Sequence, residues 1–223
     1  SLDEAVQVFP GWSLRADRFS GNPVTGFTAW NVRVSFGDEE IARAENLTVS
    51  LSLLSLLKGS AGINSITVKN AFLASEPILA AVKKTDLPQG SGESSLALPV
   101  IILTPSEVST PLGSVTLDLL RLTPGQGTVT LEGKGNFLGM PVEMGGSLAE
   151  DAVISLTNGF LRAGEMTAAL SGEVFPEFFL EGNVHNLNLE KAGSLFSLPF
   201  SMKGTVDSTL TVSRPGGKLL LSG

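Results

Sequence analysis

The 223-residue chain carries a net charge of −7, with 15 basic against 22 acidic residues, no Cys, no Tyr and a single His. These counts exclude a disulfide framework, thiol catalysis and Cys-ligated metal. The Lys and Arg residues are scattered, which argues against a nucleic-acid partner, because phosphate binding needs clustered cations.

Charged residues make up 17 %, below the usual ~25 %, and the mean hydropathy is +0.26, which indicates more apolar surface than an ordinary enzyme carries. At this length a substantial core forms without staples. No apolar run approaches the ~20 residues needed to span a bilayer. There is no signal-peptide pattern, and the abrupt start and strand-like end read as a piece of something longer.

In chain order, Ser1-Leu2-Asp3-Glu4 has capping-box spacing, and Leu2, Ala5, Val6 and Phe9 fall on one helical face before Pro10-Gly11. This predicts a short amphipathic helix. A strand follows near 13–20, then a turn at Gly21-Asn22-Pro23. Trp30 to Phe36 puts apolar and polar side chains on alternate faces, and Phe27 to Phe36 predicts a half-buried strand, with Gly37-Asp38-Glu39-Glu40 as its polar turn. Leu47, Val49, Leu51 and Leu53 alternate in the next strand. Leu53, Leu54, Leu56 and Leu57 then read as one or two helical turns ended by Lys58-Gly59. Ile63 to Val68 is a further strand. Ser75-Glu76-Pro77 opens a helix of about two turns that ends at Lys83 and Lys84, where cations suit the dipole.

The polar segment 85–95 reads as a loop or linker. It separates an N-terminal α+β segment, 1–84, from 96–223, read as a continuous antiparallel β segment that shares one sheet with 1–84. Strands are expected near 98–103, 112–122, 127–138, 140–148, 153–157, 165–174, 178–186, 200–212 and 218–221, with a short helix at 189–196 capped by Asn188. Short turns between them favour antiparallel neighbours. Without long helices between the strands, a doubly wound parallel sheet is disfavoured.

Candidate chemistry is sparse. His185 and Glu181 share a strand face but stand about 13 Å apart at ~3.3 Å per residue, too far for a direct hydrogen bond. Gly133-Lys134-Gly135-Asn136-Phe137-Leu138-Gly139 misses the spacing of a nucleotide-binding loop, and no helix follows it, so it reads as a hairpin with glycines on one face. Asp38-Glu39-Glu40 and Glu150-Asp151 lack calcium-loop register and read as solvated turns. Asn46-Leu47-Thr48 matches a glycosylation sequon, a short and frequent motif. G-x-S-x-G is absent, and a hydrolase would rest on His185 alone. We expect no enzyme, no catalytic residue, no metal and no cofactor.

What remains is a set of apolar ladders: Trp30, Val32, Val34 and Phe36; Leu47, Val49 and Leu51; Val115, Leu117 and Leu119; Met166, Ala168 and Leu170; and Met202, Val206, Leu210 and Val212. Periodicity does not separate a dry sandwich closed on itself from an open groove lined by the same residues.

Gly11-Trp12-Ser13-Leu14, Arg18-Phe19-Ser20-Gly21 and Phe27 to Val34 resemble the start of an AsmA-like ectodomain, and so does Ala44 to Gly59 followed by Ile63 to Val68. Gly182 to Leu189 and Leu198 to Val206 resemble repeat units of the AsmA and TamB group. The resemblance covers most of the chain but rests on patterned positions.

It implies an elongated, curled, mostly antiparallel sheet, taco-like or groove-like, with a few short helices that are mainly N-terminal. It implies a bacterial envelope protein, periplasmic and anchored in the inner membrane by a segment outside this chain. Phospholipid or another acyl-chain lipid would be carried along an apolar groove between the membranes. The ladder residues would line that groove. The alternative is a scaffold or assembly factor for outer-membrane proteins, with an outer-membrane β-barrel as partner.

Overall fold

Alternation is satisfied in this chain by strands that pair mainly with their sequence neighbours. A computed structural model describes residues 6–9, 11–22, 24–52, 62–84, 98–110, 113–137, 139–150, 153–175, 177–195, 203–213 and 220–222. The chain divides into two units, Ser1–Pro124 and Gly125–Gly223. Both are mainly β and mostly antiparallel, with two short helices among the described residues, as expected.

Unit 1 holds β1 (Val6–Phe9), β2 (Trp12–Arg15), β3 (Arg18–Asn22), β4 (Gly26–Phe36), β5 (Glu39–Leu51), β6 (Ile63–Ala74), helix α1 (Ser75–Lys84), β7 (Val100–Thr110) and β8 (Gly113–Pro124). The strand order is β1-β2-β4-β5-β6-β7-β8. β2 pairs with one half of β4 and β3 with the other.

Three expectations are corrected here. The described part of the N-terminal helix is strand instead, because Val6 and Gln7 pair with Leu14 and Ser13 across the Gly11 turn. Sheet pairing overrides the helical spacing of so short a segment. The single strand near 13–20 is two, β2 and β3, interrupted at the buried Ala16. The neighbours β6 and β7 are parallel, with Ser65 opposite Val100 and Ala74 opposite Ser109. A parallel pair needs a crossover, and α1, which packs on β5, β6 and β7, begins it. The helical turns expected at 53–57 and the loop at 85–95 lie outside the described residues.

Unit 2 holds β9 (Thr128–Phe137), β10 (Met140–Glu150), β11 (Ile154–Ala163), β12 (Met166–Phe175), β13 (Phe179–Asn188), helix α2 (Leu189–Leu195), β14 (Thr205–Ser213) and β15 (Leu220–Ser222). These strands pair in sequence order, all antiparallel. Asn188 caps α2, its Oδ1 accepting the Lys191 N–H at 2.9 Å. In neither unit does a second sheet lie against the first among the described residues.

The sheet of unit 1 is crossed by one row of irregular positions. Asn31 in β4 and Asn70 in β6 have φ of 51° and 50°, a left-handed conformation that Asn tolerates better than most residues. Asn31 faces Glu45 of β5, between the pairs Trp30–Asn46 and Val32–Ala44. Asn70 also faces Glu45, and on its other side it faces Pro105 of β7. Pro has no N–H to give, and it sits where the ladder is interrupted. Across β7 and β8 the row continues at Asp118 and Leu119, between the pairs Ser106–Leu117 and Leu103–Leu120.

At this row every strand reverses the phase of its alternation. Ala29 and Val32, three residues apart, belong to one buried cluster, whereas unbroken alternation would place them on opposite faces. The register carries the same three-residue step through Ala44 and Leu47, Val68 and Ala71, Leu103 and Ser106, and Leu117 and Leu120. Neighbouring carboxylates brace the two asparagines: Asn31 Nδ2 donates to Asp17 at 2.8 Å, and Asn70 Nδ2 donates to Glu45.

Asn70→Val should therefore destabilise the protein by about 2 kcal/mol, while Asn70→Gly stays within about 0.5 kcal/mol of wild type. Urea unfolding followed by circular dichroism measures both.

Candidate functional site

The register defines one apolar face in unit 1. It carries Val32, Val34, Ala42, Ala44, Leu47 and Val49, continues through Ile66, Val68, Ala71 and Leu73 to Ile101, Leu103 and Val108, and ends on Val115, Leu117, Leu120 and Leu122. Its floor is made of small or β-branched residues with Leu103 and Leu117. Ala29, Val32, Ala44, Val49 and Ala71 are buried, with Leu103 and Leu117, while Val34, Leu47, Leu51, Leu120 and Leu122 are half-buried. Phe36 is also half-buried and is met edge-on by Trp12, with ring centres 5.6 Å apart.

Ser106 lies in the same face, 4 % exposed, and its hydroxyl has no hydrogen-bond partner among the described residues. Among those residues Ile41 is the one large side chain covered almost completely. It is the extra residue of a β-bulge, between the pairs Val34–Ala42 and Ser35–Glu40.

Two of the expected ladders are corrected by the phase reversal. Trp30 does not share a face with Val32, Val34 and Phe36. It lies on the opposite face, under the Arg18 guanidinium at 4.1 Å from the ring centre. Leu119 likewise leaves the Val115–Leu117 ladder, and Leu120 takes its place. The signal for both was present as a three-residue apolar step, but a period-2 reading passes over it.

In unit 2 the apolar face combines leucine with glycine. Val142, Met144, Leu156, Leu161, Met166, Ala168, Leu170, Leu180, Val184, Leu187, Val206, Leu210 and Val212 align through the register, with Gly133, Gly135, Gly146, Gly159 and Gly182 among them. The glycines are overlaid by neighbouring leucines. A Cβ on Gly146 or Gly159 would come within 2.7 Å of Leu156 side-chain atoms, and one on Gly182 within 2.7 Å of Leu170 Cδ2. Leucines laid flat over glycines leave a shallow, greasy floor. The expected glycine hairpin is present: Gly133 and Gly135 are both buried, opposite Met144 and Val142. Of the expected lining residues in this unit, Met166, Leu170, Leu210 and Val212 are half-buried, Val206 is exposed, and Met202 lies outside the described residues.

The opposite face of unit 2 carries a polar row across six strands. Lys134, Glu143, Arg162, Thr167 and His185 stand in register, and Asp207 meets His185 with Nδ1 3.4 Å from Oδ2. Lys134 Nζ lies 2.9 Å from Glu143, and its hydrogen bond and charge, with Arg162 adding, hold that carboxyl below its usual value. Asp207 is lowered first by the Asn186 backbone N–H at 2.9 Å, then by His185. Asn186 has a φ of 56°, so Asp207 braces another left-handed asparagine. The partner of His185 is thus an exposed acid that secures a kink, not Glu181, and sequence spacing offers no route to it.

No group of three or more potential ligands could hold a metal among the described residues. An open polar depression of about 580 Å³ in unit 1 lies along the reset row. It sets Arg33 and Arg43 against Asp17, Glu40 and Glu45, so it favours neither sign of ligand. Among the described residues no helix is long and apolar enough to cross a membrane. In comparisons with known proteins, no family model, curated protein or solved structure matched the chain.

Gly159→Ala should destabilise by about 2 kcal/mol, because its new methyl would also meet the Leu170 carbonyl oxygen at 2.7 Å. Gly182→Ala, opposed at that range only by the tip of the Leu170 side chain, should cost clearly less. Thermal melts of the two variants rank them.

The lowered Asp207 carboxyl adds stability above its unfolded value, and this is lost as pH falls through the folded value. The difference in melting temperature between wild type and Asp207→Asn should therefore be present at neutral pH and close below the reference value of 3.8.

Proposed function

We propose that this chain is a non-catalytic, lipid-handling segment of an AsmA- or TamB-like envelope protein, whose apolar faces receive phospholipid acyl chains in the periplasm. One observation carries the reading. In each unit a broad apolar face carries half-buried side chains around a buried floor, and the described strands form no second sheet against it. An acyl chain in water forfeits about 0.8 kcal/mol per exposed CH₂. An apolar floor removes that penalty without a metal, a nucleophile or directional hydrogen bonds.

The polar faces favour the same reading. In unit 2 the pairs Lys134–Glu143 and His185–Asp207 join neighbouring strands and support the sheet. In the full-length protein an anchor outside this chain would hold it at the bacterial inner membrane, and transfer toward the outer membrane would follow.

Native mass spectrometry after gentle extraction should find phospholipid bound to the protein. Leu122→Glu combined with Leu210→Glu, both on half-buried face positions, should weaken binding of a fluorescent fatty-acid probe about tenfold. A wild-type protein that stays lipid-free even after incubation with phospholipid would end this reading.

A further inference from the structure

Unit 1 has one chemically distinct end. Among the described residues, all five of its exposed large apolar side chains gather there: Phe19, Val24, Phe27, Ile63 and Leu98 are 45 %, 53 %, 41 %, 44 % and 55 % exposed. The register brings them together. Phe19 and Phe27 stand on the paired strands β3 and β4, Phe27 sits opposite Val49, Leu51 opposite Ile63, and Ser65 opposite Val100, two residues beyond Leu98.

The described strand segments at that end carry no carboxylate. Between it and the reset row the described stretches 18–30, 46–52, 62–69, 98–104 and 120–124 contain no Asp or Glu, yet they carry Arg18, Lys69 and Arg121. In a chain of net charge −7 this segregation is local. Among the described carboxylates of unit 1, Asp17, Glu45 and Asp118 lie at the row itself, Asp38, Glu39, Glu40 and Glu107 lie beyond it, and Glu76 lies in α1.

We infer that this apolar rim, backed by arginine and lysine, docks unit 1 on a lipid bilayer surface containing anionic headgroups. Exposed Phe, Val, Ile and Leu side chains at a strand end enter the headgroup–acyl boundary, while arginine and lysine behind them meet lipid phosphates. Carboxylates at that depth would be repelled and poorly solvated, which fits their absence from the described strand segments there. The rim docks whether or not the apolar faces take up lipid.

The test is flotation of the whole chain with phosphatidylcholine vesicles, with and without phosphatidylglycerol. Wild type should float, more strongly with phosphatidylglycerol, and added salt should remove that increment. Val24→Asp combined with Leu98→Asp changes two of the most exposed positions and should leave the circular dichroism spectrum intact while reducing flotation about tenfold. Phe160→Ser combined with Phe179→Ser, which removes two exposed aromatics from unit 2, should leave flotation unchanged. Phe19→Trp should shift its emission to the blue on vesicles.

Absence of wild-type flotation overturns the inference. So does equal loss in the unit 2 variant, or self-association in sedimentation that the rim variant abolishes without any vesicle binding, since a second copy would then be the occupant. Fatty-acid probe binding measured without vesicles reads the apolar faces separately from the rim.

Discussion

A β-strand shows alternate side chains to opposite faces, so one apolar face survives across many strands only if all of them keep the same phase. In unit 1 they keep it by changing phase together. Asn31, Glu45, Asn70, Pro105 and the Asp118–Leu119 step lie in one row, and every strand from β4 to β8 reverses there. Had a single strand reversed alone, its apolar set would face water and its polar set would face Ala29, Val32 and Leu47. The left-handed asparagines are tolerable because carboxylates on neighbouring strands or segments, Asp17 and Glu45, receive their side-chain amides. A local backbone cost of order 1–3 kcal/mol is the condition for a continuous apolar surface.

Unit 2 meets the same requirement with different chemistry. Its face is thinned by Gly146, Gly159 and Gly182, over which Leu156 and Leu170 lie down. On the other face Phe160 covers Gly145 in the same way, and the Arg162 guanidinium stands 5.5 Å from the Phe160 ring centre. Large side chains therefore run along the sheet instead of rising from it. The surface is apolar but low. The charge row from Lys134 to Asp207 stiffens the solvent side, where cross-strand pairs contribute individually little but act in register.

The reset row also separates two chemical environments in unit 1. On one side lie the exposed Phe19, Val24, Phe27, Ile63 and Leu98 with arginine and lysine; on the other lie most of the carboxylates. Because β4 to β8 all cross this boundary, the sheet of unit 1 has a polarity along the strand direction as well as between its faces.

Much of this was legible in the chain itself. Alternation at Trp30–Phe36, turn residues at Pro124-Gly125-Gln126-Gly127 and the Ser75-Glu76-Pro77 helix start are local signals with local causes, and they place most elements within a few residues. Asn158-Gly159, which reads as a turn that ends a strand at Thr157, lies instead inside β11, where Asn158 takes a φ of 51° and the strand runs on to Ala163. Val32, Val34, Leu47, Val49, Leu117, Leu170 and Leu210 were assigned to the apolar face for the same reason. Which strands run parallel, which side Trp30 and Leu119 face, and which acid meets His185 were decided only by the tertiary structure. Each depends on hydrogen-bond register between segments distant in sequence, and a single left-handed asparagine, locally unremarked, exchanges the two faces of everything that follows it.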